Sequence, residues 1–214
     1  MHRTDGLPKY RGRIHEAAFF VSIPLGLALV AAGRGAAARV SALVFAASLA
    51  GVFGVSAAYH RGRWTEAARL RMKRLDHSMI FVLIAGSYTP FCLLVIRGWW
   101  GGSLLAIVWA GALAGIVLKL VSIDRLHVVS GILYMSLGWA AILALPRLVN
   151  ELSPLQLALV VGGGVLYTLG AVVLLCRRPD PSPAFGYHEV WHAMGVAAGA
   201  LHYVAILLVV TAVR

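Results

Sequence analysis

The sequence predicts an all-α integral membrane protein, a seven-helix bundle with its N-terminus in the cytoplasm and its C-terminus outside. Three observations carry that reading. Of 214 residues, 60% are hydrophobic and 13% charged, and mean hydropathy is +0.84; soluble domains run near half apolar and a quarter charged. Seven apolar stretches each approach the roughly 20 residues a helix needs to cross a bilayer. The basic residues between them are crowded into alternate connections. The spans consume nearly the whole length, so residues 1–214 form one domain and leave no room for a separate nucleotide-binding, DNA-binding or periplasmic module.

Taken in order, the spans fall at about 14–33, 39–60, 76–96, 99–119, 127–146, 154–176 and 187–212. The first follows basic residues and ends in Ala31, Ala32 and Gly33, like a signal peptide, but its length and the six spans behind it make it an uncleaved helix. Pro24 and Pro90 interrupt helical runs and kink them. Gly111 and Gly115 form a small-xxx-small face, and Gly162 to Gly164 permit a second close helix contact. Cys92 lies in an apolar run near the outer end of span three and Cys176 near the inner end of span six, and both are free packing residues. No internal repeat supports the inverted-repeat architecture of transporters.

The formal charge is +11. In a membrane chain this sets topology and meets anionic lipid head groups, so membrane lipids rather than nucleic acid are the expected partners. With the N-terminus inside, the inner segments hold Arg3, Lys9, Arg11, Arg13, Arg61, Arg63, Arg69, Arg71, Lys73, Arg74, Lys119, Arg125, Arg177 and Arg178. The outer ones hold Arg34, Arg39, Arg97, Arg147 and Arg214, a bias of 14 against 5. An odd number of spans then exports the C-terminus, opposite to G-protein-coupled receptors.

Ionisable groups inside a membrane are expensive and mark function. His60 ends span two; Asp76 and His77 open span three; His188 and His192 open span seven; His15 and Glu16 begin span one, and His202 lies deeper in span seven. Spans two, three and seven therefore place His60, Asp76, His188 and His192 at one depth, the cytoplasmic side. His188 and His192 are four apart, on one helix face about 6 Å from each other, so two nitrogens can reach one metal ion. A third nitrogen from His60 leaves a fourth position for water, the pattern of a catalytic zinc site. Softer metals would want thiolates, and calcium or magnesium more carboxylates. Asp76 is either an N-cap of the third helix or the base beside the metal. Ser56, one turn before His60, either donates to a substrate oxygen or bonds a carbonyl of its own helix.

These residues resemble a known family. Ser56-x-x-x-His60, then Leu75-Asp76-His77-Ser78 continuing to Ile84-Ala85-Gly86-Ser87-Tyr88-Thr89-Pro90, then His188-x-x-x-His192 look like the three signatures of the hemolysin III family, grouped with the adiponectin and progestin receptors. The resemblance spans essentially the whole chain. It implies a zinc ion on the cytoplasmic side held by His60, His188 and His192, with Ser56 and Asp76 assisting chemistry. It also implies, through ceramide hydrolases in the wider group, hydrolysis of a lipid amide.

The expected function is that of a zinc-binding protein of the cell membrane, a metal-dependent hydrolase of a lipid-like amide or ester with Asp76 and Ser56 as catalytic residues. The alternatives are a receptor-like or sensing protein braced by structural zinc, and a pore-forming cytolysin. Against the pore, no ring of charges is apparent near the bilayer centre. Substrate and oligomeric state are not legible in the sequence.

Overall fold

The computed structural model describes residues 8–123 and 126–212, so Arg3, Arg125 and Arg214 of the charge count lie outside the described residues. Among the described residues, seven helices are long and apolar enough to cross a membrane: α1 (Arg13–Ala32), α2 (Ala36–Arg61), α3 (Glu66–Ile96), α4 (Gly98–Val121), α5 (Val128–Glu151), α6 (Pro154–Cys176) and α7 (Tyr187–Ala212). No strand occurs among them; a single bridge joins Ser182 and Phe185 between α6 and α7. The chain is a multi-pass membrane protein.

Neighbours in sequence pack together along α1 to α4 and again at α6 and α7, while α7 also closes against α1, α2 and α3. That closure brings distant polar residues to one end. Phe45, Phe81, Leu29 and Ile206 fill the interior without exposure. The two glycine faces do their expected work: a Cβ on Gly115 would collide with the Phe81 ring, one on Gly111 would lie 2.7 Å from Leu137, and one on Gly163 would strike His202.

The third helix differs from expectation in a way that matters. It begins at Glu66, ten residues before the apolar run, with Thr65 as its N-cap accepting from the Ala68 amide. Residues 66–75 are Glu, Ala, Arg, Leu, Met and Lys only, all strong helix formers that hydropathy overlooks. Asp76 is therefore three turns inside a helix, and its reading as an N-cap is excluded. At the other end Pro90 has no amide to donate, and the helix continues as a π segment over Phe91–Ile96. The fifth span likewise runs past 146 to Glu151 through a 3₁₀ stretch at Ala140–Ala144. The sixth opens on a capping box formed by Ser153 and Gln156, with Pro154 in its first turn.

Hydroxyls along the spans are mostly satisfied within their own helices. Ser22, Ser41 and Ser48 donate to carbonyls three residues back, and Ser78, Ser87 and Thr89 to carbonyls four back. Tyr134 and Tyr88 of α5 and α3 act between helices, donating to the carbonyls of His77 and Leu137. The first of these holds α5 against α3 beside Asp76. Cys92 and Cys176 are both free, as expected.

Candidate metal centre

The end of the bundle where α2 finishes and α7 starts gathers the polar residues. His60 lies in the last turn of α2, and His188 and His192 occupy successive turns at the start of α7. One potential ligand nitrogen from each lies within 4.8 Å of the others. The Nε2 atoms of His60 and His188 are 3.2 Å apart. Two nitrogens bound at 2.0–2.1 Å to a tetrahedral ion sit about 3.3 Å from each other, so this separation already suits zinc. The three rings meet edge-on or tilted, with centroids 4.5 to 5.1 Å apart. His192 is 3% exposed, and its Nδ1 is buried with no hydrogen-bond partner. A buried orphan nitrogen in a group of three facing imidazoles fits a metal better than it fits packing.

Asp76 stands beside this group on α3, 14% exposed. Its carboxylate interacts with the His60 imidazole and with the Ser56 hydroxyl, and Ser56 itself is 3% exposed. The neighbouring His77 faces the same carboxylate: its Nδ1 lies 2.9 Å from the Lys73 carbonyl and 3.4 Å from Asp76, to which it is a closer partner than His60 or Ser56. His202, the other membrane histidine, sits apart between α6 and α7, its Nε2 on the Val160 carbonyl at 3.2 Å. The three expected ligands, His60, His188 and His192, and the two expected assisting residues, Asp76 and Ser56, thus share one end of the bundle.

Three neighbours complete this end, and of them the sequence offered only His15 as a candidate. His15 of α1 stacks on His192 with centroids 3.9 Å apart and planes 11° from parallel. Arg11 places its Nε 2.7 Å from Glu189, whose side chain is fully buried. Gly12 adopts φ +76°, and a Cβ there would sit 2.7 Å from the His60 Cβ, so the backbone before α1 lies directly on the histidine group. The Tyr10 amide adds a bond to the Ala184 carbonyl in the α6–α7 connection. Glu189 deserves comparison with the metal-binding pattern His-Glu-x-x-His, in which the glutamate serves as base. Here its second oxygen accepts from the Gly186 amide at 2.9 Å, so cap and ion pair claim the carboxylate. The intervening Glu gave the only linear hint of Arg11: a buried acid needs a cation.

Comparison with known proteins identifies the family. The family profile described as "Haemolysin-III related" matches residues 7–203. The chain belongs to the haemolysin III family. It is 32% identical to "Hemolysin-3" of Bacillus cereus over 199 residues, which is 92% of this chain and 88% of that protein. It is 36% identical to "Hemolysin-3 homolog" of Bacillus subtilis (strain 168) over 133 residues, covering 62% and 60% of the two chains. A more distant likeness, 26% over 172 residues, links it to the human "Monocyte to macrophage differentiation factor", with 78% of this chain and 69% of that one covered. The resemblance read from the three sequence signatures is therefore a family membership.

Proposed function

We propose that this haemolysin III protein is a zinc-dependent hydrolase of a lipid-like amide or ester, working on the cytoplasmic side of the cell membrane where the charge bias puts the histidine end. The observation that carries this reading is the convergence of His60, His188 and His192 with an acid and a hydroxyl alongside. The three imidazoles hold the metal. Zinc so bound supplies a Lewis acid and lowers the pKa of water toward neutrality. Asp76 accepts the proton released as water adds to the carbonyl carbon, and returns it to the leaving amine or alcohol as the bond to carbon breaks. Ser56, whose hydroxyl meets the Asp76 carboxylate in the structure, turns to donate to the oxygen that becomes negative in between.

A second reading, zinc as a brace between α2 and α7 in a receptor-like protein, draws support from the burial of His192 and the backbone laid against His60 at Gly12. Asp76→Asn separates the two. The purified variant retains near-stoichiometric zinc and loses at least about 100-fold in hydrolysis across a screen of lipid amides and esters, because an amide accepts no proton. Unchanged turnover removes Asp76 as base. Absence of zinc from the wild-type protein rejects both readings.

A further inference from the structure

His15 is an odd residue for its place. It lies in the first turn of α1, 7% exposed, and its Nδ1 is buried without a hydrogen-bond partner. Burial of a polar nitrogen unpaired carries a desolvation cost that a phenyl ring would escape. Hydrogen bonding at Nδ1 therefore does not account for the ring; the imidazole also bonds the His192 backbone, which holds it to α7, and its faces make the remaining contacts. One face stacks on His192 at 3.9 Å and 11°, and Phe53 of α2 lies against the ring at 5.2 Å and 44°.

The stack defines what His15 can do. A metal lies in the plane of the imidazole that binds it, about 2 Å from the nitrogen. A ring stacked almost parallel sits roughly 3.5 Å above that plane, at van der Waals distance, and its own lone pairs lie in a different plane. His15 is accordingly not among the residues whose ligand atoms converge. It can, however, prevent the His192 ring from rotating about its bond to Cβ. Among the described residues no ring stacks parallel on His60 or His188: Tyr59 meets His60 tilted at 4.6 Å and 54°, and the two imidazoles meet one another edge-on at 4.9 Å and 75°.

We propose that His15 is a positioning residue of the metal centre, an aromatic plate that fixes the ring plane of His192 and so sets its nitrogen toward the ion. This rests on the zinc reading above. Binding to a cation draws electron density from an imidazole, and the π face of a neighbouring ring attracts the resulting positive charge. An aromatic face should thus serve where equal bulk does not. The arrangement ties α1 to the site mechanically, although α1 contributes no ligand.

The test uses the full chain purified in detergent, with zinc affinity measured by competition with a chromophoric chelator and the ligand field read from the visible spectrum of the Co²⁺-loaded protein. His15→Phe keeps a plate, His15→Leu keeps bulk alone, and His15→Ala removes both. Expected is Phe within about threefold of wild type, Leu weaker by about tenfold, and Ala by 10- to 100-fold, the range for residues that orient ligands. The Co²⁺ bands shift in Leu and not in Phe. Equal affinity and spectra for Phe and Leu overturn the proposal, even if Ala fails to fold, because only volume would then matter. Strong zinc binding by wild type, lost in His60→Ala yet unchanged across the His15 series, refutes the plate and leaves the zinc reading standing. Failure of wild type to bind zinc or Co²⁺ refutes both.

Discussion

The two ends of the bundle handle polarity in opposite ways. At the far end Trp99 is 73% exposed and Trp100 41%, Arg97 bonds the nearby Leu94 carbonyl, and the π and 3₁₀ segments of α3 and α5 resolve local backbone demands. Polar groups there are short-range and at the surface, as aromatic and basic residues are at any membrane interface. At the histidine end His15, Ser56, Glu189 and His192 are all buried, and their partners come from other helices or from the segment before α1. Membrane anchoring requires the first arrangement and not the second. Burying four polar side chains from three helices at one depth has a cost that stability alone does not call for, which is why function is sought there.

The largest expected effect breaks that contrast at its centre. His60→Ala, His188→Ala and His192→Ala each lower zinc affinity by more than about 100-fold and reduce thermal stability in the presence of zinc, whereas Arg147→Gln at the far end changes neither. Metal analysis and thermal unfolding of the purified variants measure this. Retained stoichiometric zinc in all three histidine variants would erase the distinction between the ends. Protonated imidazole cannot ligate, so wild-type zinc is also released as pH falls through the imidazole range and not as it rises from neutrality.

A smaller effect sharpens the comparison by separating architecture from chemistry at the same end. Glu189→Leu alone leaves Arg11 facing a vacant partner and lowers stability by about 3 kcal/mol. Arg11→Leu with Glu189→Leu recovers a substantial part of it, and both variants keep their zinc at temperatures below unfolding. Loss of zinc from the doubly substituted protein would mean that Glu189 serves the metal and not the fold. Calorimetric or fluorescence melting with metal analysis distinguishes the outcomes.

The smallest effect lies away from both ends. Gly115→Ala pushes a methyl group into the Phe81 ring, which is fully buried, and overpacking of this kind costs about 1–3 kcal/mol. Zinc affinity measured on the folded fraction stays at the wild-type value. A fall in affinity would show that strain in mid-bundle reaches the histidine group.

Much of this protein is local in origin and was legible in the chain. Hydropathy set the number of spans, because a backbone in lipid must form helices about 20 residues long. The four-residue spacing of His188 and His192 set their common face, since the helix repeat is 3.6 residues. Even His60 and Asp76 could be brought to the same end by counting spans. The beginning of α3 escaped for an identifiable reason: residues 66–75 are helical by propensity and charged by composition, so an apolar window opens only at 76.

Other features depend on which faces of distant helices meet, and no spacing along the chain encodes that. Glu189 lies between two candidate ligands in sequence, and packing assigns it to Arg11 and the α7 cap. His15 reads as a polar residue at a helix start, and packing lays it flat on His192. Gly12 carries no signal in sequence, and packing sets it on His60. Helix formation in lipid is decided residue by residue, because each backbone group must find its partner within the same segment. The relative rotation of α1, α2 and α7 is decided by van der Waals fit and interhelical polar contacts summed over whole faces, so only the assembled bundle determines which polar side chains meet.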